Sequence, residues 1–186
     1  MKRLSFYAAI SILVLGHSVV GAQELERFVR YSQGDGEIHW GMVHGEEVYQ
    51  LAGAPYETME HTGAKFMRDE LRIEAPVDPN LVFMTALNFR SHITGEPAEY
   101  PGLFIVPASS IVGPEDAIVR PAESENLHYE AEMAIVVGKR AENVSIDEAH
   151  EYIFGVTAGN DVSERAWQGG DIQWVRAKGS KGFNAV

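Results

Sequence analysis

Short apolar runs rich in β-branched and aromatic residues recur along the chain, broken by glycine, proline and acidic turns. That pattern predicts strands rather than long helices. Phe28, Val29 and Tyr31 fall in a first strand, Gln33-Gly34-Asp35-Gly36 is a turn, and Trp40 to Val43 forms a second strand. His44-Gly45-Glu46-Glu47 is a second turn and Val48 to Leu51 a third strand, which makes residues 25–51 a small antiparallel sheet. His39, His44 and His61 lie in or beside turns and read as surface residues. Residues 52–75 carry little signal. The Pro-rich lead-in Ala75-Pro76-Val77-Asp78-Pro79-Asn80 marks a boundary between a small β domain, 23–75, and a second domain, 76–186. Leu81 to Leu87 reads as a buried strand that delivers Asn88-Phe89-Arg90-Ser91-His92 to its end, where functional loops commonly begin. Residues 93–103 are polar, with two prolines and two glycines, and suit a mobile loop. Phe104 to Pro107 and Ala117 to Arg120 predict short strands separated by a turn at Gly113-Pro114-Glu115-Asp116. Ser145-Ile146-Asp147-Glu148 fits a capping box that opens a short helix to about Tyr152, and Phe154 to Ala158 predicts a strand with Asp161 at its exit.

One stretch concentrates the chemistry. Glu130 and Glu132 stand at the head of the apolar run Met133–Val137, which Gly138 ends, so the run reads as a buried strand. Side chains alternate across a strand, and the two carboxylates share a face at about 7 Å. They repel by roughly 2 kcal/mol at an effective dielectric of about 20, and burial adds a desolvation cost to each. A divalent cation removes both problems, and an all-oxygen donor set suits Mg²⁺, Mn²⁺ or Ca²⁺. The same pair on a solvated strand face needs no cation.

Composition narrows the classes. The 186 residues are 45% apolar and 23% charged, as in a soluble globular protein of one domain or one domain with an appendage. A net charge of −12 argues against nucleic acid and against anionic lipid surfaces as partners. The absence of cysteine excludes disulfides, thiol nucleophiles and zinc–thiolate sites. Met1 to Ala22 has the form of a secretory signal peptide: Lys2 and Arg3, an apolar run from Leu4 to Leu15, then Val20-Gly21-Ala22 before Gln23. Export is therefore expected, to the periplasm or the medium, without a stable membrane anchor. An uncleaved anchor or a docked terminal helix are the alternatives.

The segments LNFRSH, LHYEAEMAIVVGK, FGVTAGNDVSERAWQ and DIQWVRAKG, in that order, closely resemble the fumarylacetoacetate hydrolase family. The resemblance runs from about Arg27 to about Gly179. It implies a mixed α/β, β-rich fold, a fumarylacetoacetase C-terminal-domain-like β-sandwich roll behind a small N-terminal β domain, and a homodimer. It implies Glu130, Glu132 and Asp161 as ligands of Mg²⁺, with Mn²⁺ or Ca²⁺ as alternatives. His92 becomes the general base, Lys178 the support for a developing oxyanion, and Arg165 and Gln168 substrate-binding groups. Many of the hydrolases pair the histidine with a glutamate three residues on. Here that position is Gly95, and the nearest acid is Glu96. The family also continues past the lysine through further strands, so the β-sandwich reads as incomplete at Val186. The implied reaction is metal-dependent hydrolysis of a carbon–carbon bond in an acylpyruvate-like β-diketo acid, through a metal-stabilised enolate. Isomerisation or decarboxylation of 2-oxo or 2-hydroxy-diene acids on the same site, or a catalytically inactive secreted binding protein, are the alternatives.

Overall fold

The computed structural model describes residues 25–34 and 36–186. The signal peptide expected at Met1 to Ala22 lies outside the described residues. The N-terminal portion is a five-stranded antiparallel sheet in the order β4-β3-β2-β1-β5. Its strands are β1 (Phe28–Ser32), β2 (Ile38–His44), β3 (Glu47–Leu51), β4 (His61–Met67) and β5 (Arg72–Glu74). The β2–β3 hairpin has a two-residue turn whose first residue, Gly45, has φ +60°, a backbone that a side chain disfavours. Tyr31, Val48 and Leu71 form the buried core of this sheet. Gly41 sits mid-strand because a Cβ there would lie 2.3 Å from Val48 Cγ1. β4 and β5 occupy the segment that carried no strand signal. In β4 only Ala64 and Phe66 turn partly inward, and β5 is three residues of RIE, too short and too charged for periodicity to show.

The second portion follows with β6 (Leu81–Ala86), β7 (Gly102–Pro107), β8 (Ile111–Val112), β9 (Leu127–His128) and β10 (Ala131–Val137). Then come β11 (Ile153–Asp161), β12 (Ser163–Glu164), helix α1 (Arg165–Gly170), helix α2 (Val175–Gly179) and β13 (Asn184–Ala185). β10, β11, β13 and β8 form one sheet in that order, antiparallel except for the parallel β13–β8 pair. β6 pairs with β7, and β12 with β9. Across β10–β11, Ala131 faces Asn160 and Glu132 faces Gly159, which brings the acids at the head of one strand beside Asp161 at the end of the other.

Several local expectations are corrected. The Met133–Val137 run is a strand but not a buried one: Met133, Ile135 and Val137 are 61%, 53% and 61% exposed, and only the alternate positions are partly covered. A continuous apolar run does not say whether one face or two are covered. Leu81 to Leu87 likewise alternates between exposed and half-buried residues. That strand ends at Ala86 because Leu87 takes φ +52°, and the left-handed residue turns the chain out of the sheet. Ala117 to Arg120 is not a strand; Asp116 accepts the Gly113 N–H at 2.8 Å, and the turn leads into irregular chain. The Ser145 hydroxyl donates to Glu148 Oε2 at 2.6 Å instead of capping free amides, and the helix there is the short 3₁₀ segment Ala149–Tyr152.

The two portions are stapled together. Arg72 donates to Asp116 at 2.5 Å, and Phe154 packs against Phe28 and Tyr56 with ring centroids 5.4 and 5.7 Å apart. The Gly113 amide bond holds the Asp116 carboxyl below the usual carboxylate range against a desolvation cost, with Arg72 assisting. A lowered pKa stabilises the fold above the unfolded value near 4, and the contribution disappears as pH falls through the folded value. Asp116→Asn keeps an acceptor for Gly113 and loses the charge. It should destabilise the chain by about 1 kcal/mol at pH 7, and urea titrations should show the gap to the parent narrowing progressively as the pH falls below the unfolded value near 4.

Candidate active site

The end of β11, the head of β10 and the two helices meet at a cleft of about 320 Å³. Its centre is a buried ion pair. Asp161, the last residue of β11, is 5% exposed and Lys178, on α2, is 3% exposed. Lys178 Nζ donates to Asp161 Oδ2 at 2.5 Å and to Ser163 Oγ at 2.7 Å, and lies 3.5 Å from Glu130 Oε1. The Arg165 guanidinium pairs with Glu130 and donates to Gln168 Oε1 at 2.7 Å, an i to i+3 contact on α1. Burial drives the Glu130 carboxyl up, but the charges of Lys178 and Arg165 outweigh it and hold the group below its ordinary value. For Asp161 burial wins over the Lys178 bond, and the carboxyl is raised.

Two residues that sequence reasoning missed build this arrangement. Ser163 is fully buried, accepts from Lys178, and donates to Glu130 Oε1 at 3.1 Å or the Asp161 carbonyl at 3.2 Å. Glu164, 0% exposed, caps α1 through the Trp167 N–H at 2.7 Å and accepts from Asn126 N–H at 2.6 Å and Glu125 N–H at 3.2 Å. These amides overcome its burial and keep the carboxyl low. Glu164 therefore fixes where Arg165 and Gln168 project. Its only sequence signal is an acid just ahead of a helix start.

His92, Glu130, Glu132, Asp161, Arg165, Gln168 and Lys178 all line the cleft. Glu96 does not: it is exposed, and no ion pair joins it to His92 among the described residues. His92 ends the 3₁₀ turn Arg90–His92, and Arg90 donates to the carbonyl of Gly95 at 3.0 Å, curling the loop so that Glu96 follows a turn at Gly95, φ +95°. Leu87, Phe89, Phe104 and Trp174 add an apolar wall that sequence reasoning also missed. The signal available was a lone tryptophan in the polar segment DIQWVRAKG.

The donor chemistry fits a hard divalent cation. Among the described residues, no three acidic or histidine side chains stand close enough together to hold a metal ion, since Lys178 and Arg165 engage the carboxylates instead. Yet Asp161 Oδ1 is buried with no hydrogen-bond partner. An unsatisfied buried acceptor costs about 1–3 kcal/mol, and Glu130 and Glu132 line the same cleft with all-oxygen side chains.

Residues 81–186 match the fumarylacetoacetate (FAA) hydrolase C-terminal domain, and residues 26–76 match the Rv2993c-like N-terminal domain. Protein Rv2993c of Mycobacterium tuberculosis is 35% identical over 161 residues, which are 85% of this chain and 60% of that protein. The crystal structure of 2-hydroxyhepta-2,4-diene-1,7-dioate isomerase from Mycobacterium marinum superimposes with a TM-score of 0.78 at 33% identity, covering 87% of this chain and 64% of that one. Maleylpyruvate hydrolase from Sphingobium sp. SYK-6, solved with manganese(II) and pyruvate, shares the fold at a TM-score of 0.65 and 22% identity, over 87% of this chain and 65% of that one. Relatives are named as hydrolases, isomerases and tautomerases. The chain thus spans less than two thirds of each of these three proteins while matching the family domain from Leu81 to Val186, and it belongs to the fumarylacetoacetate hydrolase family.

Proposed function

We propose that the chain is a divalent-metal-dependent hydrolase that cleaves a carbon–carbon bond in an acylpyruvate-like β-diketo acid. The observation that carries this reading is the convergence of Glu130, Glu132, Asp161, Lys178, Arg165 and His92 on one cleft, around a buried carboxylate oxygen with no partner. Mg²⁺ or Mn²⁺ held by Glu130, Glu132 and Asp161 would supply Lewis-acid polarisation of the 2-oxo acid. Arg165 and Gln168 orient the substrate's carboxylate. His92 takes a proton from water as the general base. The resulting hydroxide adds to the distal carbonyl, and the Lys178 ammonium stabilises the negative charge that develops there. The bond between that carbon and the methylene then breaks. The acyl group leaves as a carboxylic acid, and the electron pair remains on the three-carbon fragment as an enolate, which takes a proton to give pyruvate.

A second reading, isomerisation or decarboxylation of a related 2-oxo or 2-hydroxy-diene acid, is favoured by one observation: Glu96 does not line the cleft with His92, and among the described residues no acid pairs with that imidazole. Neither of those reactions needs an attacking water.

Glu132 makes no ion pair among the described residues, so Glu132→Gln changes the cation site without breaking a contact of the fold. Calorimetry should show Mg²⁺ or Mn²⁺ affinity reduced by about tenfold or more, with an unchanged unfolding midpoint in the metal-free protein. Equal affinity in parent and variant would mean that the acids form only a solvated strand face. His92→Ala should lower acylpyruvate cleavage by about a hundredfold or more, and Glu96→Gln should lower it too if closure of the loop brings that acid to the imidazole. Oxaloacetate decarboxylation without acylpyruvate cleavage in the parent, and unaffected by Glu96→Gln, would favour the second reading.

A further inference from the structure

Besides the acids and their cations, the cleft is lined by Leu87, Phe89, Phe104 and Trp174. Trp174 precedes α2 and accepts the Lys178 N–H at 2.8 Å through its carbonyl, so the two side chains lie one helical turn apart, about 5–6 Å along the axis. Phe104 joins them: its ring meets Trp174 edge-on at 5.4 Å and an angle of 72°, and the Lys178 ammonium lies 5.4 Å over it. The group that supports the oxyanion and the indole are therefore held by one aromatic ring. Trp174 is half-buried and keeps ring surface toward the cleft.

The charges at the site speak against a second carboxylate on the substrate. The cations that line the cleft are engaged, Arg165 by Glu130 and Gln168, Lys178 by Asp161 and Ser163. Three acids already line the same walls. Arg90, the nearby cation without an acidic partner among the described residues, donates to the carbonyls of Ile93 and Gly95 and does not line the cleft.

We propose that Trp174, with Phe104, forms a distal subsite that selects an aromatic acyl group on a singly charged acylpyruvate. The proposal rests on the hydrolase reading for the reaction, but not for the binding preference. An aryl ring carried directly on the distal carbonyl spans the turn from Lys178 to Trp174 and meets the indole edge or face, the geometry aromatic pairs prefer.

Two measurements on the 186-residue chain with Mg²⁺ test it. The first is the ratio of kcat/KM for benzoylpyruvate to that for acetylpyruvate and for the dicarboxylate fumarylpyruvate, in the parent, Trp174→Ala and Trp174→Phe. The second is calorimetric affinity for 2-oxo-4-phenylbutanoate against 2-oxopentanoate, neither of which has a carbonyl that can be attacked for cleavage. The parent should favour the phenyl compound by about tenfold or more in both. Trp174→Ala should abolish that preference, and Trp174→Phe should restore most of it. Preference for fumarylpyruvate, or the same phenyl preference in Trp174→Ala as in the parent, overturns the subsite and leaves the hydrolase reading standing. Absence of all cleavage with the Trp174-dependent binding preference intact overturns the hydrolase reading and leaves the subsite standing. If Trp174→Ala does not fold, the preference of the parent and its retention in Trp174→Phe decide alone, and equal binding of phenyl and alkyl acids by the parent overturns the subsite.

Discussion

A lysine and an aspartate buried side by side set the terms for the catalytic portion. Lys178 and Asp161 are withdrawn from water on different elements, one on a five-residue helix and one at the end of a nine-residue strand. Removing one member of such a pair strands the other charge and costs about 3–5 kcal/mol. The pair is therefore a strict geometric condition: α2 and β11 must arrive together. Ser163 and Asn184 meet that condition from either side, the first by accepting from the ammonium, the second by donating to the Lys178 carbonyl at 3.0 Å while pairing with Asp161 in the sheet. The pair is also underused. Asp161 keeps a buried oxygen without a partner, and that oxygen is where the structure and an oxygen-seeking cation have a common interest.

The surrounding features serve the same point. Leu87 accepts a left-handed backbone, which costs on the order of 1–3 kcal/mol, and in return the chain leaves β6 toward the cleft with Asn88, Phe89 and His92 at its wall. Glu164 spends a fully buried carboxylate on main-chain amides from two segments, which locks the start of α1 and with it the Arg165–Gln168 pair. Arg165 in turn neutralises Glu130. The acids are held close by cations of the protein itself, and a divalent ion bound as proposed would have to displace or share those contacts.

Much of this was legible in the sequence because chemistry-bearing residues cluster at the ends of strands, where periodicity stops. Glu130 and Glu132 precede an apolar run, Asp161 closes one, and His92 follows one. Their meeting at a single cleft could be expected from strand ends and from the family resemblance. What stayed hidden depends on side-chain pairing across long separations. Ser163 and Glu164 look like ordinary polar residues, and nothing local says that each is buried. β4 and β5 were missed because they are the two edge strands of their sheet, and such strands bury one face at most and carry little alternation. The outward face of β10 was misjudged for the converse reason: Met133, Ile135 and Val137 are apolar but exposed. Trp174 was passed over because the lysine four residues on absorbed the significance of its segment.

In the proposed metal site, Lys178 and a divalent cation would both draw on one buried carboxylate, that of Asp161. Thermal unfolding of Lys178→Met with and without Mg²⁺ tests it directly. Without metal, the variant should melt well below the parent, since Asp161 is left buried and unpaired. Mg²⁺ should raise its midpoint far more than the parent's, because a ligand at about a hundred times its dissociation constant adds about 2.7 kcal/mol and no ammonium opposes it. A variant that melts with the parent, or one that Mg²⁺ stabilises no more than it stabilises the parent, would contradict the account.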